Sequence, residues 1–305
     1  VIPTTWAMQK KFDTDNKLKR RRARLAMRGD KQRPGIDFKE TFAPTCRLET
    51  LRLIVYIALT LSCAMTSVDF SKAFLNGPME ELVHVELPQG YVFSEGLRGL
   101  RRSAHVLKLL KSAYGVCQAA ANWFNCLRGL MIKLGFAQCR SDPCVFYKTE
   151  PLFFVIVWVD DLFMLSADAK DRDETVAKMQ QHYALRDEGP VDAFLNVRFN
   201  LEGEKLTMSQ AHYVDHTLQR FGLSDCNPVK TPTAMGFEAK AEGESADEKT
   251  YRQLIGSLMY VMVCTRGDLA HATSVLSRHL KDPRKKHMQA AKRVLRCLKA
   301  TRDKG

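Results

Sequence analysis

The chain has 305 residues, 45% of them hydrophobic and 27% charged, the composition of a soluble globular protein long enough for about two domains. Its net charge of +13 points to a polyanionic partner such as nucleic acid. The 9 cysteines stand singly, with no Cys-x-x-Cys pair, so a structural zinc module is not expected and reduced thiols in an intracellular protein are implied. No signal peptide opens the chain, and no apolar run approaches the ~20 residues of a membrane span.

In chain order, residues 17–28 form the densest basic run, which Gly29 stops before a Pro34-Gly35 turn. Helical spacing of Leu51, Ile54, Val55, Ala58 and Leu59 predicts a helix over 48–62. A strand-like run, Met65 to Phe70, ends at a carboxylate, and Leu82–Leu87 alternates as a half-buried strand does. Residues 94–103 read as a loop, and the spacing predicts one helix from Leu107 to Leu134. An apolar hairpin at 152–165 and a charged helix at 171–186 follow. Then come two strands, Ala193–Leu201 and Lys205–Ser209, and a helix carrying Tyr213, Val214, Leu218 and Phe221. Residues 224–249 read as a loop or linker, and 246–305 as helical, with an apolar stripe of Ala290, Ala291, Val294, Leu295 and Leu298. The pattern is α+β with a helical C-terminal part.

The run Val-Ile-Val-Trp-Val-Asp-Asp-Leu-Phe-Met-Leu, 155–165, sets two carboxylates among apolar neighbours. Adjacent strand residues point to opposite faces, and an unpaired buried carboxylate is costly, so a turn or a cation is required there. Asp69, Asp160 and Asp161 each lie at the end of a short apolar strand. Were those strands neighbours, the carboxylates would converge at one edge. Clustered carboxylates repel unless cations neutralise them, and hard oxygens suit Mg²⁺. Two such ions about 3.5–4 Å apart clamp the oxygens of an in-line phosphoryl transfer.

Asp69-Phe70-Ser71-Lys72-Ala73-Phe74-Leu75-Asn76-Gly77 resembles the first catalytic motif of reverse transcriptases from Ty1/copia-type retrotransposons, and Trp158-Val159-Asp160-Asp161 is similar to their Tyr-x-Asp-Asp box. In the same order stand Arg22-Ala23-Arg24-Leu25, Phe42-Ala43-Pro44, Leu48-Glu49-Thr50-Leu51-Arg52, Tyr114-Gly115-Val116-Cys117-Gln118, Phe194-Leu195, Gly256-Ser257-Leu258-Met259-Tyr260 and Ala290–Lys299.

The resemblance implies a right-hand polymerase, with fingers and palm over 1–205, a helical thumb or connection over 206–305, and RNase H downstream. It implies an RNA-directed DNA polymerase that attacks the α-phosphate of a deoxynucleotide with a primer 3′ hydroxyl. Asp69 and Asp160 would bind two Mg²⁺ ions, with Mn²⁺ as a substitute, the Phe70 carbonyl assisting and Asp161 as a less direct third carboxylate. Arg22, Arg24 and Gln118 would bind the nucleotide, and Phe74 would be a steric gate against a ribose 2′ hydroxyl. The partners implied are an RNA or DNA template with primer, deoxynucleoside triphosphates, and the integrase and RNase H domains of a Pol polyprotein, with no membrane. The location implied is an intracellular particle or the nucleus. The absence of an initiator Met is what an internal piece of such a polyprotein would show.

The chain departs from the family at Trp158, at Asn196 where Gly is usual, and at Cys117 and Ala119–Ala121, where Lys, Pro and Arg are missing. A catalytically decayed, nucleic-acid-binding relic is therefore the alternative reading, and a two-metal nuclease a second. Trp6 and Trp123 read as core residues, and the basic helix at the C-terminal end as either a nucleic-acid grip or a connection with a solvated face.

Overall fold

The N-terminal basic run is a strand in the computed structural model, which describes residues 1–12, 18–93, 101–203, 205–240 and 242–304. Lys17 and most of the loop expected at 94–103 lie outside the described residues. Strands β1 (Thr4–Phe12) and β2 (Leu18–Met27) form an antiparallel ladder that opposes Ala7 to Arg24 and Gln9 to Arg22. Side chains alternate along a strand, so Arg20, Arg22 and Arg24 share one face while Trp6, Met8 and Leu25 share the other.

Helix α1 (Leu48–Thr60) buries Leu51, Ile54, Val55 and Ala58, the stripe its spacing predicts. It leads into β3 (Ala64–Phe70) and a 3-10 turn, Ala73–Asn76. Strands β4 (His84–Glu86) and β5 (Val106–Lys108) pair with each other. The single helix expected over 107–134 is shorter than its spacing implies: α2 covers only Ala119–Lys133. Gly115, at φ +89°, adopts a left-handed conformation that ends any right-handed helix running through it.

Next come β6 (Ala137–Gln138), β7 (Val145–Thr149), β8 (Leu152–Trp158), β9 (Asp161–Ser166), α3 (Ala169–Gln180) and β10 (Leu185–Pro190). Asp168 starts α3 by accepting the Lys170 N–H at 2.8 Å. The helix ends earlier than expected, because residues from Leu185 onward pair with β3 instead.

These strands form one antiparallel six-stranded sheet in the order β10-β3-β9-β8-β7-β6. Its register answers the question raised by the adjacent carboxylates. Arg186, Asp69, Asp161 and Trp158 stand opposite one another in a single row across β10, β3, β9 and β8, and directly opposed residues share a face. In the next row Val68, Leu162 and Val157 point the other way and are buried. Asp160 itself belongs to no strand: it lies in the two-residue turn between β8 and β9.

The chain divides into two compact units, Val1–Pro190 and Val191–Gly305. The second begins with the meander β11 (Ala193–Phe194), β12 (Val197–Glu202) and β13 (Lys205–Ser209). The strand expected over 193–201 is interrupted because Leu195 and Asn196 both take left-handed backbone, φ +53° and +55°. That is the pattern of a tight hairpin turn that favours Asn-Gly. Asn196 suits it, whereas Leu195 is strained and is held through its carbonyl by the Tyr260 hydroxyl. The double substitution Leu195→Asn/Asn196→Gly is expected to stabilise this unit by about 1 kcal/mol, read as a higher midpoint in thermal unfolding.

Helices α4 (Ala211–Arg220), α5 (Glu248–Cys264), α6 (Ala270–Ser277) and α7 (Lys285–Ala300) complete the unit. The α7 residues Ala291, Val294, Leu295 and Leu298 pack on Val214, Tyr251, Leu254, Leu258 and Leu276. The cations beside that stripe face the 224–231 segment. Arg293 donates to Thr231 Oγ1 (3.0 Å), Arg296 to the Asn227 carbonyl (2.7 Å), and Lys299 to the carbonyls of Ser224 and Cys226 (2.6 and 2.8 Å).

His287, fully buried at the start of α7, stacks on His279 at 3.9 Å. Its Nδ1 accepts the Arg284 N–H and its Nε2 reaches the Lys240 carbonyl, an arrangement that uses the neutral ring. Burial, then His279, push its pKa down. The unfolded chain therefore binds the proton first, and this stability is complete above about pH 6.5 and declines as pH falls below it. Melts of wild type and His287→Gln should differ in exactly that window: the wild-type midpoint falls between pH 7.5 and 5.5 more steeply than the variant's.

Candidate active site

Asp69 ends β3, and Asp160 stands in the β8–β9 turn beside it. The Phe70 N–H donates to the Asp160 carbonyl at 2.8 Å, which ties the turn to the strand next to Asp69. Both carboxylates line a cavity of about 860 Å³. Its other walls carry Arg20, Arg21, Arg22 and Arg24 from β2, Lys72 from the following turn, Tyr114, and Arg186 from β10.

Repulsion and burial act on the acids together. The Asp69 carboxyl is pushed up by burial and then by Asp160 and Glu188, with Arg186 and Arg22 opposing. Asp161 is pushed up to about 6, first by burial, then by Asp160, Asp69 and Glu188. Ionised carboxylates held together in this way lower their energy by taking up a cation.

The structure brings Arg22, Arg24, Asp69, Phe70 and Asp160 around one cavity and sets the other expected residues off its lining. Asp161 stands in the same row as Asp69 but outside the cavity wall. Phe74 packs edge-on against Tyr114, centroids 6.1 Å apart, and joins a core cluster with Met27 and Val85. Tyr114 and Leu75 face the cavity in its place. Gln118 is buried with its amide engaged, accepting from Gln32 at 3.0 Å and donating to the Asp37 carbonyl at 3.0 Å and to Glu81. That network closes the segment before α2 onto residues 32–37.

Five charged or aromatic cavity residues were not anticipated: Arg20, Arg21, Lys72, Tyr114 and Arg186. Arg20 follows from alternation once residues 20–24 are known to be a strand. Tyr114 supports Arg24, whose guanidinium lies 5.2 Å above its ring. Lys72 takes φ +56°, a left-handed conformation uncommon outside glycine and concentrated at functional sites. The family departures are accommodated: Ala119 and Ala121 are buried in the first turn of α2, and Cys117 Sγ reaches the Gly29 carbonyl.

Asp69 and Asp160 fit a divalent ion through the chemistry of their donors. Mg²⁺ takes hard oxygens, needs only one or two carboxylates, and draws its remaining ligands from water and substrate phosphates. Among the described residues no three His, Cys, Asp or Glu side chains form a metal site by themselves.

A family model described as reverse transcriptase (RNA-dependent DNA polymerase) matches residues 1–235. The retrovirus-related Pol polyprotein from transposon TNT 1-94 of Nicotiana tabacum is 34% identical over 97% of this chain, which spans 23% of that protein. The corresponding polyprotein from transposon RE1 of Arabidopsis thaliana is 30% identical over 100% of the chain, which spans 21% of it. A foamy viral protease-reverse transcriptase in complex with double-stranded DNA has a TM-score of 0.47 at 9% identity, covering 97% of this chain and 45% of that one. With its family motif matched across residues 1–235 and relatives aligned along its whole length, the chain belongs to the reverse transcriptase (RNA-dependent DNA polymerase) family, in the branch carried by Ty1/copia-type retrotransposon Pol polyproteins.

Proposed function

We propose that this chain polymerises DNA on an RNA or DNA template, adding deoxynucleotides to a primer 3′ end as the synthetic part of a retrotransposon polyprotein. The observation that carries this reading is one cavity lined by two carboxylates and by the arginines of β2. A triphosphate fits that polarity: guanidinium groups bind its oxygens in forked pairs, while the carboxylates face the reacting end.

Asp69 and Asp160, with the Phe70 carbonyl, would hold two divalent ions, and the charge supplied there when bound stabilises the phosphoryl oxygens and lowers the pKa of the primer hydroxyl. The chain's own residues do the positioning. Arg22 and Arg24 orient the β- and γ-phosphates, Tyr114 keeps Arg24 over the cavity, and Lys72 and Arg186 balance charge on the leaving pyrophosphate. Most of the catalysis in phosphoryl transfer comes from such placement and charge stabilisation.

Arg24→Ala should raise KM for the incoming deoxynucleotide on the order of tenfold, the loss of a charge-assisted contact, while primer-template affinity changes little; steady-state extension at varied nucleotide concentration measures both. The reading as a whole is tested by extension of a DNA primer on an RNA template with Mg²⁺. Incorporation that disappears in Asp160→Asn supports it. Binding of the duplex with no incorporation favours the decayed relic, and nicking without synthesis favours a nuclease.

A further inference from the structure

The turn that carries Asp160 is strained, and the strain has a specific restraint. Val159 sits at φ +59°, a left-handed conformation that costs a residue with a Cβ roughly 1–2 kcal/mol and is an outlier for a β-branched one. Such a turn persists only when its surroundings over-determine it. Both of its carbonyls are held. The Asp160 carbonyl accepts the Phe70 N–H at 2.8 Å, and the Val159 carbonyl accepts the Trp123 indole N–H at 2.7 Å.

Trp123 is itself immobilised. It is 1% exposed, and its ring meets Phe70 edge-on at 5.1 Å and Tyr183 at 5.2 Å. One of those neighbours, Phe70, adjoins Asp69 and supplies the other restraint on the turn. The indole, the Phe70 ring and the Phe70 amide thus form one fixture joined to the backbone next to both acids. A buried indole N–H needs a partner, and this one finds it at the carbonyl of a β-branched residue held in left-handed backbone beside Asp160.

We propose that Trp123 is a positioning residue: its indole N–H clamps the Val159 carbonyl and thereby fixes the turn that presents Asp160 beside Asp69. The functional part of this statement rests on the reading of those two acids as the reacting pair. The clamp itself rests only on the geometry of the turn.

The variant that separates clamping from packing is Trp123→Phe, which keeps an aromatic ring and removes the donor. A misplacement of about 1 Å at a reacting group costs on the order of 10²-fold in rate. The folded variant should therefore lose on the order of 10²-fold in kcat while KM for the deoxynucleotide stays within about threefold. Hydrogen exchange gives a second readout that does not depend on activity. The Phe70 amide, bonded to the turn, should exchange at least about tenfold faster in the variant, with the amides of Val155 and Val157 in β8 unchanged.

A folded variant with kcat within about threefold of wild type and no local change in exchange would overturn the clamp and leave Trp123 as core packing. If the variant does not fold, the wild-type protein decides. Its Trp123 indole N–H should exchange far more slowly than that of Trp6, which bonds the Gln89 carbonyl at an exposed site, and equal rates would overturn the proposal. If wild type incorporates no nucleotide, the polymerase reading fails by itself, and the exchange of Phe70 in Trp123→Phe still decides the clamp: local acceleration supports it and its absence overturns it.

Discussion

Replacing Asp69 or Asp160 by Asn is expected to cut primer extension on the order of 10³-fold or more while duplex affinity stays within about threefold. The substitution keeps shape and removes charge at the two carboxylates that open onto the cavity. Asp161→Asn should behave differently on both axes. Its side chain lies off the cavity wall, so extension should fall only about tenfold. Its carboxyl is pushed up to about 6 by burial and by three neighbouring acids, which means that its ionised form opposes the fold at neutral pH. Neutralising it should therefore stabilise the protein, on the order of 1 kcal/mol once solvent screening is discounted. Loss of function with a gain of stability is the signature of a site held against its own repulsion. Extension rates and melting midpoints of the three variants, measured side by side, check the pattern; a destabilised Asp161→Asn would refute it.

Gly115→Ala should be the most damaging single methyl group in the first unit. A Cβ at Gly115 would stand 2.2 Å from the Met27 carbonyl oxygen, on a backbone at φ +89°. The reciprocal contact is as close, since a Cβ on Gly29 would meet the Gly115 carbonyl oxygen at 2.2 Å. Neither partner is a flexible side chain that can move aside. The end of β2 and the Tyr114–Gly115 segment cross here and are joined by the Met27 N–H, which donates to the Tyr114 carbonyl at 2.7 Å. Left-handed strain and overpacking together predict a loss of about 3–5 kcal/mol. The same shift separates Tyr114 from Arg24, so the residual folded protein should also show a raised KM for deoxynucleotide. Chemical denaturation and extension kinetics test the two halves of this expectation.

Local pattern carried a large part of this structure. The stripe of α1 and the apolar face of α7 are periodic features, the apolar runs before Asp69 and Asp160 are short and continuous, and the fold reproduces each of them as helix or strand. The stretch Arg20-Arg21-Arg22 was different: when every position is the same residue, alternation leaves no mark, so the strand and its cavity-facing side were hidden. The partners of Gln118 and Trp123 were hidden for another reason. Gln118 is bound by Gln32, Asp37 and Glu81, and Trp123 reaches a carbonyl 36 residues away, contacts that no neighbouring residue announces. Arg186 enters the site only because β10 pairs with β3, a choice made by the whole sheet.

The straps on α7 bear on how the net charge of +13 is to be counted. Arg293, Arg296 and Lys299 already donate to the 224–231 segment, and a phosphate could engage them only if those bonds were given up. Each cation that does meet a phosphate of duplex DNA displaces counterions and adds about 0.9 to the slope of log affinity against log salt. These three lie outside that sum, so the ionic-strength dependence of nucleic-acid binding should be shallower than the basicity of the C-terminal helix implies, with the arginine stripe of β2 contributing a disproportionate share.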